Sequence, residues 1–98
     1  MRVSINIVAI GGTVSPISGT EQALGVAAAR AMAQGAHVDL FGGSYLGALP
    51  HYRGPLHRPD DGAKLVEAVR KADGILIAAP GYHGTISGLV KNALDYLE

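Results

Sequence analysis

Cysteine and tryptophan are absent from this chain, and phenylalanine occurs once. Without cysteine there is no disulfide framework, no thiol nucleophile and no cysteine-ligated zinc. The composition fits a cytoplasmic protein. Excess charge is also missing: eight basic residues balance eight acidic ones. Nucleic acid and an anionic membrane surface therefore have no general electrostatic claim on the chain as partners. No apolar run approaches the roughly 20 residues that span a bilayer. The start, a lone Arg2 followed by an alternating pattern, does not read as a signal peptide. Large apolar side chains are scarce, since alanine supplies much of the 48% hydrophobic content. The 98 residues suit one domain or a piece of one, and a core of small side chains stabilises it only modestly.

What is present is an alternation of strand and helix patterns. Residues 3–10 begin as an alternation and end as a continuous apolar run, the mark of a strand buried on both faces. Residues 13–19 form a hydroxyl-rich loop in which Pro16 biases Ser15 away from helix. A helix then runs to about Gln34. Its N-cap is Thr20 or Ser18, the latter because Ser18 and Glu21 stand at capping-box spacing. Ala23, Leu24, Ala27, Ala28 and Ala31 make a small-residue stripe, and Gly35 is placed to end the helix. Residues 36–41 read as a second strand, with Val38 and Leu40 on one face. Residues 42–59 show no period and read as a long loop without secondary structure, a kind that is often functional. Asp60 caps a helix to about Ala72, with Leu65, Val66 and Val69 facing in. Residues 75–79 form a third, fully apolar strand, read as buried. Ile86, Leu89, Val90, Ala93, Leu94 and Leu97 then recur at helical spacing.

The order β-α-β-α-β-α predicts a parallel sheet in an alternating α/β domain, 1–98, with three strands and three helices. A doubly wound sheet normally continues to five or six strands. With three, the third strand has an open edge. Either the domain is incomplete, which is the preferred reading, or another chain covers that edge. With the first strand central, the strand order reverses between the first and third, where ligands bind in such sheets.

Two glycine-rich loops meet at that reversal. The first offers the hydroxyls of Thr13, Ser15, Ser18 and Thr20 with backbone amides at a helix start, an arrangement that favours phosphate. Capping by Ser18 or Thr20 is the plainer account of the same residues. The loop is neither a dinucleotide-binding nor a triphosphate-binding glycine motif. The second loop offers the amides of residues 81–85 and the ring of Tyr82. Together they suit a planar heterocycle with a polar rim; a strand-to-helix turn with a half-exposed tyrosine is the alternative.

These loops resemble the NADPH-dependent FMN reductase family, whose fold is flavodoxin-like. Residues 11–21, Gly-Gly-Thr-Val-Ser-Pro-Ile-Ser-Gly-Thr-Glu, are similar to the family's phosphate loop. Residues 80–97, from Pro-Gly-Tyr-His-Gly-Thr-Ile-Ser-Gly to Asn-Ala-Leu-Asp-Tyr-Leu, are similar to its flavin-ring loop and the helix after it. The second match is the longer and more specific. The likeness runs from residue 3 to the last residue and covers the front half of a typical member. It implies that Thr13, Ser15, Ser18 and Thr20 lie at the FMN phosphate. It also implies that Pro80, Gly81, Tyr82, His83, Gly84 and Thr85 lie along the isoalloxazine. Ser15 stands where members often carry arginine, which removes a cation. Gly81 and His83 stand where many have Glu and Asn, which shifts ring contacts toward backbone.

The implied activity is an FMN-dependent NAD(P)H oxidoreductase that reduces flavin, quinone or a similar small-molecule acceptor, in a cytoplasmic homo-oligomer without nucleic-acid or membrane partners. Hydride transfer needs stacking and orientation more than acid or base, so no catalytic proton-transfer residue is nominated. His83 is the nearest candidate to tune the reduced ring, with an exposed loop histidine as the alternative. The spacing of His51, His57, Asp60 and Asp61 crosses Pro55 and Pro59 and matches no metal-ligand pattern. That segment is expected to form a flap or a dimer contact, with Tyr45 and Tyr52 able to cover a ligand. The competing function is a non-catalytic flavin-binding or interaction module. A phospho-acceptor signalling domain of similar topology would need clustered acidic residues after the first strand, which the chain lacks.

Overall fold

The computed structural model describes residues 4–13, 18–81 and 86–97. Ser15, Tyr82, His83, Gly84 and Thr85 lie outside them. In chain order the elements are β1 (Asn6–Gly11), α1 (Gly19–Ala33), β2 (His37–Phe41), α2 (Gly43–Ala48), α3 (Asp60–Lys71), β3 (Gly74–Ala78) and α4 (Gly88–Asp95). The strands form one parallel sheet in the order β2-β1-β3. This is the α/β architecture, with the first strand central, that the sequence predicts.

Residues alternate faces along a strand, and β1 uses both. Val8 and Ile10 enter a core with Leu46 and Leu49, with Leu65 and Val66 of α3, and with Val90, Ala93 and Tyr96 around α4. On the opposite face, Gly11 is so close to Leu24 of α1 that a Cβ there would meet its side chain at 2.8 Å. Helices therefore lie on both sides of the sheet, α1 on one and α2, α3 and α4 on the other.

The ends of α1 follow local chemistry. Ser18 is the N-cap, its Oγ accepting from the amides of Thr20 and Glu21. At the C-terminus Gly35 adopts φ 96°. Gly35 N–H donates to Met32 and Ala36 N–H to Ala31, the paired bonds of a Schellman stop. Between these ends the expected stripe is narrower: Leu24 and Ala28 are buried, whereas Ala23 and Ala27 are exposed.

Three expectations are corrected. The 42–59 stretch contains the short helix α2, which tertiary contacts specify rather than periodicity. Asp60 is the first residue of α3, not its cap; Pro59 holds the cap position without a side-chain bond. Asp60 and Asp61 instead place negative charge in the first turn, where the helix dipole favours it. β3 is not buried throughout, since Ile75 and Ile77 are 45% and 50% exposed. They pair in register with Val8 and Ile10, so they extend the core face beyond the helices that cover it. Leu40, on the same strand face as Val38, is exposed.

α2 is anchored by Tyr45, whose ring meets Phe41 edge-on at 4.9 Å and whose hydroxyl donates to the Asp61 carbonyl at 2.7 Å. Burial, and then the Asp61 charge, raises the Tyr45 pKa above its ordinary 10.0. A raised pKa means the folded state resists ionisation. The stabilisation is complete below the unfolded value and is lost as pH climbs through the folded one. Tyr45→Phe should cost about 1 kcal/mol near neutrality through the lost hydrogen bond. Urea titrations above pH 10 should show the gap between the two proteins closing.

Candidate functional site

A cavity of ≈ 490 Å³ opens off the carboxyl ends of the strands. Among the described residues its walls come from three places: Gly12 and Thr13 after β1; Leu46, Gly47, Leu49 and His51 after β2; and Ser87, Gly88, Leu89 and Asn92 at the start of α4. Each segment follows a strand, and the cavity sits where the strand order reverses, the position expected of a ligand site in this architecture.

Three side chains hold the segments together. Ser87 is the N-cap of α4, with Oγ accepting from Val90 N–H at 3.4 Å. The same hydroxyl donates to the Gly12 carbonyl at 2.7 Å. This buried bond ties the α4 start to the loop after β1. Gly12 has no room for a side chain: a Cβ would lie 2.8 Å from the Ala78 carbonyl oxygen and 2.7 Å from Val90.

Glu21 is the second tie. From the first turn of α1 its carboxylate accepts from Thr13 N–H at 3.4 Å and Gly43 N–H at 3.3 Å. The capping-box spacing predicts a bond back to Ser18; the carboxylate instead bridges two loops. Gly43 permits this by packing against the Thr13 backbone.

Asn92 is the third. Its Oδ1 accepts from Tyr52 N–H at 2.8 Å, which fixes the amide orientation. Its Nδ2 then donates to the carbonyls of Leu49 and Pro50 at 3.4 and 3.0 Å. Tyr96 adds a 2.6 Å bond to Pro50. The segment carrying Leu49 and His51 is thus clamped to α4.

Of the ten residues expected at a ligand, Thr13, Ser18, Thr20, Pro80 and Gly81 are described. Thr13 is buried and lines the cavity. Ser18 performs its capping role, with Thr20 as one of its donors. Pro80 is half-buried and Gly81 exposed, and neither lines the cavity. The other five lie outside the described residues.

Leu46, Gly47, Leu49, Leu89 and Asn92 were not named as site residues; Ser87 and Gly88 belong to the stretch likened to the flavin-ring loop, and His51 to the segment expected as a flap. Two carried a signal. Ser87 stands just before Leu89 and Val90 in the last helical pattern, where an N-cap belongs, and Asn92 is a polar residue between the buried positions Val90 and Ala93. Among the described residues no group of three His, Asp or Glu gathers as a metal would need. No described helix is long and apolar enough to cross a membrane.

A parallel α/β sheet with an apolar-walled, glycine-rimmed cavity at its reversal point defines a class of small-molecule and cofactor binders. Within that class the chain belongs to the NADPH-dependent FMN reductase family, which it matches over residues 5–98. It is similar to an NADPH azoreductase of Bacillus sp. (strain OY1-2), at 45% identity over 44% of this chain and 28% of that protein. It is also similar to an iron-sulfur flavoprotein of Archaeoglobus fulgidus, at 40% identity over 44% of this chain and 21% of that protein. The chain thus matches under a third of the length of either relative.

Proposed function

We propose that the cavity holds FMN and that the chain serves an FMN-dependent NAD(P)H oxidoreductase. The bond from Ser87 to Gly12 carries this reading, because it joins the segments flanking both expected flavin loops at one cavity. The size, ≈ 490 Å³, falls within the usual range for small-molecule sites. Leu46, Leu49 and Leu89 supply apolar surface for a flat ring, and the backbone at Gly12, Gly47 and Gly88 supplies close polar contacts for its rim. Thr13, Ser15, Ser18 and Thr20 would hold the phosphate; Pro80, Gly81, Tyr82, His83, Gly84 and Thr85 would line the ring. Bound FMN supplies hydride acceptance from the nicotinamide and onward electron delivery. The chain's own residues bind, orient and exclude water.

The acceptor is proposed to be a flavin, quinone or similar small molecule. A cytoplasmic homo-oligomer, with neither nucleic acid nor membrane as partner, belongs to the same proposal. FMN titrated into the protein should bind saturably, with NAD(P)H consumed only when flavin is present. A protein that stays colourless after FMN addition and gel filtration overturns the reading. Ser15, standing where the family often has arginine, favours a second reading: a flavin-binding or interaction module without turnover. Saturable FMN binding with no NAD(P)H consumption would select it.

A further inference from the structure

A second cavity, ≈ 430 Å³, shares His51 with the first. It gathers Arg53, His57 and Arg58 over a floor that includes Pro50 and Tyr96. Among the described residues no Asp or Glu lines it. The three ion pairs among the described residues all lie elsewhere, at His37, Lys71 and Lys91. Asp60 and Asp61 follow Pro59 in the chain but are not part of the lining. The sequence as a whole is charge-balanced. The local excess of cations is therefore a matter of placement, and gathering guanidiniums that have no ion pair among the described residues around one concavity costs repulsion that an anion would relieve.

The loop is built to keep them there. Gly54, at φ 100°, reverses the chain, and His57 N–H closes the turn on the Gly54 carbonyl at 3.2 Å. Pro50 is held from α4 by Asn92 and Tyr96. Guanidinium forks pair bidentately with the oxygens of phosphate-type anions.

We propose that this groove binds the phosphate or sulfonate group of a substrate whose reacting part lies against the flavin proposed for the adjacent cavity. The anion site stands on its own geometry; the identity of the neighbouring occupant rests on the flavin reading above. The group would be carried either by the nicotinamide dinucleotide or by the electron acceptor.

The first test is independent of flavin. Inorganic phosphate is titrated while the Arg Nε–H and His ring signals are followed by NMR. Saturable shifts at Arg53, Arg58 and His57 are expected, weakening as salt rises. Affinity should fall about tenfold or more in an Arg53→Gln/Arg58→Gln variant, and Arg53→Lys/Arg58→Lys should restore part of it. Absence of saturable shifts, or equal affinity in the Gln variant with an unchanged melting temperature, overturns the site.

The second test uses the FMN-loaded protein. If the dinucleotide carries the group, the kcat/KM preference for NADPH over NADH falls in the Gln variant. If the acceptor carries it, the preference for a sulfonated over an unsulfonated azo compound falls instead. Unchanged preferences in both arms overturn the link to the adjacent cavity. Should the protein not bind FMN, the phosphate titration still reads the groove, so the two ideas fail separately.

Discussion

Gly43→Ala should destabilise the domain by about 3 kcal/mol or more, because the collision is between backbone and backbone. A Cβ at Gly43 would lie 1.6 Å from the Thr13 carbonyl oxygen and 2.5 Å from its carbon. No rotamer change relieves that; α2 or the loop after β1 must move. Movement would also stretch the bonds from Gly43 and Thr13 to Glu21, already 3.3 and 3.4 Å long. The cavity wall would open with them. Urea unfolding should show a lower midpoint, and any flavin affinity should fall in the same variant. Gly25 is the internal control. It sits inside α1, and a Cβ there would meet nothing within 4 Å. Gly25→Ala should raise stability by up to about 1 kcal/mol, through helix propensity alone. If Gly43→Ala behaves like Gly25→Ala, the tight α2 contact is wrong.

Asn92→Ala should cost about 2–3 kcal/mol, since it leaves one amide and one carbonyl without their partners and weakens a third bond. Tyr52 N–H and the Leu49 carbonyl lose their side-chain partner, while the Pro50 carbonyl keeps Tyr96. Asn92→Asp should be at least as damaging near neutrality. Its carboxylate still accepts from Tyr52 but faces two carbonyls with no hydrogen to donate. Lowering the pH should recover part of the loss in the Asp variant only, because a protonated carboxyl donates again. Chemical denaturation at two pH values separates the variants. Equal stability of Asn92→Ala and the unaltered protein contradicts the clamp.

The fold was largely readable from the chain because its signals are local. The apolar run of β1, the Gly35 stop after α1 and the period of α3 each report their own element. The tight site was less readable because its parts are not local. α2 is six residues long, too short to show a period, and is held by Glu21, more than twenty positions earlier. Glu21 has the spacing of a capping-box partner, and only the packing of Gly43 on Thr13 redirects it. Tyr96 is nearly inaccessible, yet it lies outside the apolar stripe that the period of α4 picks out. It fits because Gly62 of α3 offers no side chain: a Cβ there would come within 2.6 Å of the ring. β3 misled in the other direction. Its five apolar or small residues promised complete burial, but half the face of Ile75 and Ile77 remains open beside the covered core.

The most direct measurement is an FMN titration of the isotope-labelled protein, read residue by residue from backbone amide shifts. The account predicts saturable shifts centred on Gly12, Thr13, Gly47, Gly88 and Leu89, with the far ends of the strands, near Asn6, His37 and Asp73, unmoved. No saturable response, or a response confined to the Arg53 and Arg58 groove, would contradict it.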